Sequence, residues 1–99
     1  MEIKIEWTEP ALQDFEAIFS YIESEWSQAI ANKFIDELLQ RIDALLRQPY
    51  MGMGSRKHPD IRSIKVSKHN RLYYKVESQR LVLLNIFDLR QHPDKNIYS

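Results

Sequence analysis

Residues 61–95 read IRSIKVSKHNRLYYKVESQRLVLLNIFDLRQHPDK. In the first segment Arg62, Ile64 and Val66 alternate with Ser63 and Lys65. In the second, Arg71, Tyr73 and Lys75 alternate with Leu72, Tyr74 and Val76. Period-two alternation predicts strands with one face on a core and the other on solvent or a ligand. Leu81 to Phe87 is apolar on both faces except at Asn85, which predicts an interior strand. The linking turns, Ser67-Lys68-His69-Asn70 and Ser78-Gln79-Arg80, are short and polar, so the three strands form consecutive hairpins.

The residues before this block complete the fold. Ile3 and Ile5 alternate with charged neighbours and predict a short opening strand. Thr8-Glu9-Pro10 is a helix start, with Thr8 as the cap and Pro10 in the first turn. Leu12, Phe15, Ile18, Phe19, Ile22 and Trp26 then recur at helical spacing. Ser27 caps a second helix, whose stripe is Ala31, Phe34, Ile35, Leu38, Ile42, Leu45 and Leu46 and which Pro49 ends. Residues 49–60 hold both glycines and two prolines and read as a loop. The expected fold is α+β, in the order β-α-α-β-β-β. A helical hairpin packs on one face of a small, mostly antiparallel sheet, because neither layer can bury its apolar side alone. Trp7, Phe15, Phe34 and Leu83 are assigned to its core.

The 99 residues predict a single domain, 1–99. Hydrophobic content of 43% and charged content of 28% match globular usage. The absence of cysteine excludes disulfides and thiolate metal sites and fits a reducing cytoplasm, the expected location. No secretory leader or membrane span is read. The three histidines sit in separate loops or strand ends, so no metal is expected, and no phosphate loop points to a cofactor. The zero net charge hides a split. Residues 1–48 carry four basic and ten acidic side chains, and residues 56–75 carry seven basic ones against Asp60 alone. Such a chain can present one cationic face to an anionic partner. Edge strands rich in Lys and Arg also resist aggregation, which is the plainer reading of the same residues.

The residues with chemistry are cationic and aromatic. Lys65, Arg71, Tyr73, Lys75 and Arg90 belong to neighbouring strands, and His92 or His69 is the candidate to exchange a proton. Arginine grips phosphate through a planar fork and tyrosine offers a stacking face. Such a set suits an RNA backbone. It also suits the charge that builds on phosphorus when a ribose 2′-hydroxyl attacks the adjacent phosphate, which a base and cations can support without metal.

These features resemble the RelE/ParE family of bacterial type II toxins, which belong to toxin–antitoxin and plasmid-stabilisation systems. The resemblance rests on WTEPALQDFEAIFSYI (7–22), RIDALLRQP (41–49), the Arg71-Leu72-Tyr73-Tyr74-Lys75-Val76 strand and the closing Asp88-Leu89-Arg90-Gln91 with Pro93. It implies a toxin that arrests growth unless a cognate antitoxin binds it. In the RelE branch the resemblance implies an endoribonuclease that cuts mRNA on the ribosome, with catalytic candidates Arg71, Arg90, Lys65, His92 and Tyr98. In the ParE branch it implies inhibition of DNA gyrase without chemistry. The neutral net charge and the lack of an evident general base keep the second branch in view, and with it a third reading, an inactive family member retained to bind its antitoxin.

Overall fold

The structure is a computed structural model that describes residues 3–90 together with Asn96 and Tyr98. Strand β1 spans Lys4–Trp7, helix α1 Glu9–Glu25 and helix α2 Gln28–Arg47. Strands β2 (Met53–Gly54), β3 (Ile61–Ser67), β4 (Asn70–Glu77) and β5 (Arg80–Asp88) follow. The five strands form one sheet in the order β1-β5-β4-β3-β2. The pairs among β2 to β5 are antiparallel, and β1 lies parallel to β5, Lys4 facing Arg80 and Trp7 facing Leu83. The expected α+β architecture is therefore present.

Thr8 joins the two layers. Its side chain accepts from the Ala11 N–H at the start of α1, and its hydroxyl donates to the Leu83 carbonyl (2.7 Å) where β1 stops. Ser27 caps α2 in the same way, accepting from Ile30 N–H (3.1 Å). Two residues, Trp26 and Ser27, separate the helices, so they run as a tight hairpin over the sheet.

The main core lies between hairpin and sheet. Phe34, Leu38, Ile42 and Leu45 of α2 meet Leu72, Tyr74, Leu81, Leu83 and Ile86 of the sheet. Phe34 and Leu83 are buried as expected. Trp7 and Phe15 are half-buried against the same cluster, edge to face at 5.9 Å. The predicted α1 stripe is less buried than its periodicity implies. Only Ala11 is fully enclosed, and Leu12 and Trp26 remain 40% and 68% exposed. Trp26 sits at the C-cap, where the chain leaves α1 for α2.

Beyond Trp7, no described strand lies on the β1 edge of β5, and α1 takes over that edge. The Asp14 carboxylate accepts from the Ile86 backbone N–H at 3.0 Å. Burial raises the Asp14 carboxyl above its ordinary value of 3.8, partly offset by that hydrogen bond.

The segment 49–60, expected as a loop, contributes β2. Met53 and Gly54 face Ser63 and Arg62 of β3. Tyr74 explains the approach. Its buried hydroxyl donates to the Pro49 carbonyl (2.8 Å) and accepts from the Gly52 N–H (3.0 Å). Arg62 donates to the carbonyls of Tyr50 (3.1 Å) and Gly52 (2.9 Å) and stacks over the Tyr50 ring. A two-residue strand containing glycine has no periodicity to read, so the sequence conceals it.

Two stability predictions follow from these contacts. A Cβ at Gly52 would collide with the Tyr74 hydroxyl and lie 2.8 Å from the Ser63 carbonyl, whereas one at Gly54 meets nothing within 4 Å. Gly52→Ala should destabilise the fold by about 1–3 kcal/mol through overpacking, while Gly54→Ala should be neutral or slightly stabilising. Thermal denaturation of both variants reads the contrast. For Asp14 the folded carboxyl binds its proton more tightly than the unfolded one. Its contribution to stability is therefore full in acid and is lost as pH rises through the raised folded value. Asp14→Asn keeps an acceptor for Ile86, so it should be more stable than the wild type at pH 7. That advantage should shrink toward pH 4 in urea titrations.

Candidate functional site

Alternation along β3, β4 and β5 places a second set of side chains on the face away from the helices. Lys65 faces Arg71 across β3 and β4, Ser63 faces Tyr73, and Arg71 faces Phe87 across β4 and β5. The centre of this face is apolar. Ile61, Tyr73, Val82 and Leu84 form a buried cluster, with Phe87 and Tyr98 packed against it. A β-bulge between Tyr73 and Tyr74 shifts the pairing with β5, which leaves Leu84 without a facing partner on β4.

The described C-terminal residues lie on that cluster. Asn96 is 2% exposed, and its Oδ1 accepts from the Asn85 side chain (3.4 Å) and from the Tyr98 N–H (3.0 Å). Tyr98 then rests beside Tyr73, ring centroids 6.2 Å apart, with the His58 ring edge-on at 6.1 Å. Tyr73 and Tyr98 line a cavity of about 270 Å³ together with Met53, Gly54, Ser55, Arg56, Ser63 and Arg71.

The chain has seven arginines, and five of them are engaged within the protein. Arg41 donates to the Lys65 carbonyl, Arg47 pairs with Asp43, and Arg62 holds the loop carbonyls. Arg80 bridges Glu6 and Glu77, and Arg90 pairs with Asp88. Arg56 and Arg71 make no hydrogen bond or ion pair with any described residue, and both line the same cavity. Two guanidinium groups without protein acceptors, beside two tyrosines and two serines, can take up an anion that carries a stacking group.

The structure brings together only part of the set expected from sequence. Arg71 and Tyr98 share the cavity, and Lys65 is exposed opposite Arg71. Arg90 stands elsewhere. It lines a larger groove of about 990 Å³ on the helix side, beside Tyr21, Asp14 and His69. There it grips Asp88 through two nitrogens at 3.0 and 2.9 Å, and those hydrogen bonds hold the Asp88 carboxyl below its ordinary value. The expected meeting of Arg71 and Arg90 does not occur. The strand delivers Arg90 two residues past its last pairing, and Asp88 turns it toward the helices. His92 lies outside the described residues. Lys75, on the same face as Arg71, is tied to Glu77 at 2.7 Å, a hydrogen bond that raises its ammonium and lowers the carboxyl.

Sequence reasoning missed Arg56 and His58. Both lie in the segment read as loop, and the β2 pairing with β3 that carries them to the sheet gives no periodic signal. Among the described residues no group of three His, Cys, Asp or Glu side chains is placed to hold a metal ion, and no helix is long and apolar enough to cross a membrane.

Comparison with known proteins gives this geometry a family. The chain resembles the solved structure described as the chromosomal ParDE TA system from P. aeruginosa. The TM-score is 0.74 at 18% identity, covering 89% of this chain and 97% of that one. It also resembles the YoeB/ParE toxin from Agrobacterium tumefaciens, with TM-score 0.65, 18% identity and coverage of 87% and 98%. The YoeB dimer from Staphylococcus aureus is similar at TM-score 0.62 and 12% identity, with coverage of 86% and 94%. At these identities the likeness establishes the fold. A search of curated protein sequences finds no match. Residues 5–93 match the family described as the ParE toxin of type II toxin–antitoxin system, parDE. With nearly its whole length matched, the chain belongs to the ParE toxin family of type II toxin–antitoxin systems.

Proposed function

We propose that this toxin arrests growth in the cytoplasm by cutting ribosome-bound mRNA at the helix-free face of its sheet, and that a cognate antitoxin restrains it. The observation that supports this reading is the convergence of Arg71, Tyr73 and Tyr98 on one cavity, with Arg71 lacking any described protein partner. In the reaction a ribose 2′-oxygen bonds to the adjacent phosphorus and the bond from phosphorus to the 5′-oxygen breaks. The products are a 2′,3′-cyclic phosphate and a 5′-hydroxyl end. Arg71 neutralises the charge that builds on the phosphoryl oxygens. One proton leaves the 2′-hydroxyl and one reaches the 5′-oxygen. In this reading Tyr98, on the cavity wall, and His58, whose ring lies against it, exchange them. Lys65 adds positive charge beside Arg71.

A second reading has its own support. Arg90 is committed to Asp88 on the far side of the sheet and the net charge is zero, as suits a ParE-type toxin that inhibits gyrase by binding alone.

The variant Arg71→Ala separates the two. Under the nuclease reading it should abolish growth arrest and lower codon-phased mRNA cleavage by about a hundredfold, the usual cost of one lost charge-stabilising donor, with thermal stability retained. Arg90→Ala should leave cleavage intact. Growth arrest by the wild type without phased 5′ ends, together with loss of gyrase supercoiling, would support the second reading instead.

A further inference from the structure

We propose that Arg56, rather than Arg90, is the second guanidinium of the open-face site, and that Arg56 and Arg71 together clamp one phosphodiester of a single-stranded RNA. This rests on the nuclease reading for the identity of the ligand, but its own evidence is geometric. The two side chains reach the cavity from different supports, Arg71 from β4 and Arg56 from the segment between β2 and β3. Every other arginine has an acceptor within the protein, so these two are the guanidinium groups left for an external anion among the described residues.

The rest of the wall fits the same ligand. Tyr98, part-exposed and backed by the buried Tyr73 ring, presents ring surface on the same cavity as the cations, which suits a base flanking the held phosphate. The Ser55 and Ser63 side chains add small polar groups to the wall. Glu77, the carboxylate of β4, stands at the far end of that strand from Arg71 and is held by Lys75 and Arg80, so it does not compete for Arg71. A cavity of about 270 Å³ admits a phosphate with part of a nucleotide rather than a duplex.

The test uses the full-length protein and a trinucleotide carrying 2′-deoxy substitutions at its first and central positions, so that neither phosphodiester can be cut and binding is read alone. Calorimetric titration should show Arg56→Ala and Arg71→Ala each weakening binding about tenfold, as loss of a charge-assisted contact does. Each should also flatten the dependence of log Kd on log salt by about 0.7 for one cation removed from a single strand. Arg56→Lys should keep the salt slope and lose part of the affinity, because the ammonium lacks the fork. Arg90→Ala should bind within twofold of wild type. Arg56 is exposed, so its variants should melt with the wild type.

The inference is overturned if Arg56→Ala binds like the wild type, if Arg90→Ala is as weak as Arg71→Ala, or if the wild type does not bind the trinucleotide. Mapping of mRNA ends in the same variants keeps the two proposals apart. Cleavage that survives Arg56→Ala undiminished removes Arg56 and spares the nuclease reading. Arg56-dependent binding without any cleavage by the wild type keeps the clamp and removes the nuclease.

Discussion

Strand β5 must be covered on both faces, and much of the molecule follows from that. Leu81, Val82, Leu83 and Leu84 are all buried, although consecutive residues of a strand point to opposite sides. The helical hairpin covers Leu81 and Leu83. No described helix covers Val82 and Leu84, which rely on Ile61, Tyr73, Phe87 and Tyr98. Asn96 and Tyr98 therefore lie on this face for a packing reason, and a tyrosine is held beside Arg71 as a result. The site and the second core are built from the same residues.

The face is divided between fixed and available charge. Ion pairs at one end, among Glu6, Arg80, Glu77 and Lys75, consume cations that the sequence offers in abundance. Exposed pairs of this kind contribute about 0–1 kcal/mol each. Their larger effect here is to decide which cations stay open to a ligand. The zero net charge is thus compatible with a small cationic site, because the unpaired guanidinium groups are concentrated rather than spread.

Strand alternation made the sheet legible from residues 61–88, and caps at Thr8 and Ser27 made both helix starts legible. These are local signals, set by period and by single side chains. Less visible were features that depend on long-range approach. The β2 strand exists because Gly52 can rest against Tyr74, a contact 22 residues apart in sequence. The fate of Arg90 was decided by Asp88, two residues away, and either an outward or an inward turn was consistent with the sequence. Arg56 carried no signal, since its relevance lies in having no partner, a property that only the fold can reveal.

The two proposed ligand-gripping residues rest on foundations of unequal stiffness. Arg71 stands on β4, paired on both sides and backed by the main core. Arg56 rides a segment moored to the sheet by two paired residues, the Tyr74 hydroxyl and the Arg62 fork. Length or sequence changes in that segment can therefore retune what the toxin recognises while the scaffold beneath stays the same.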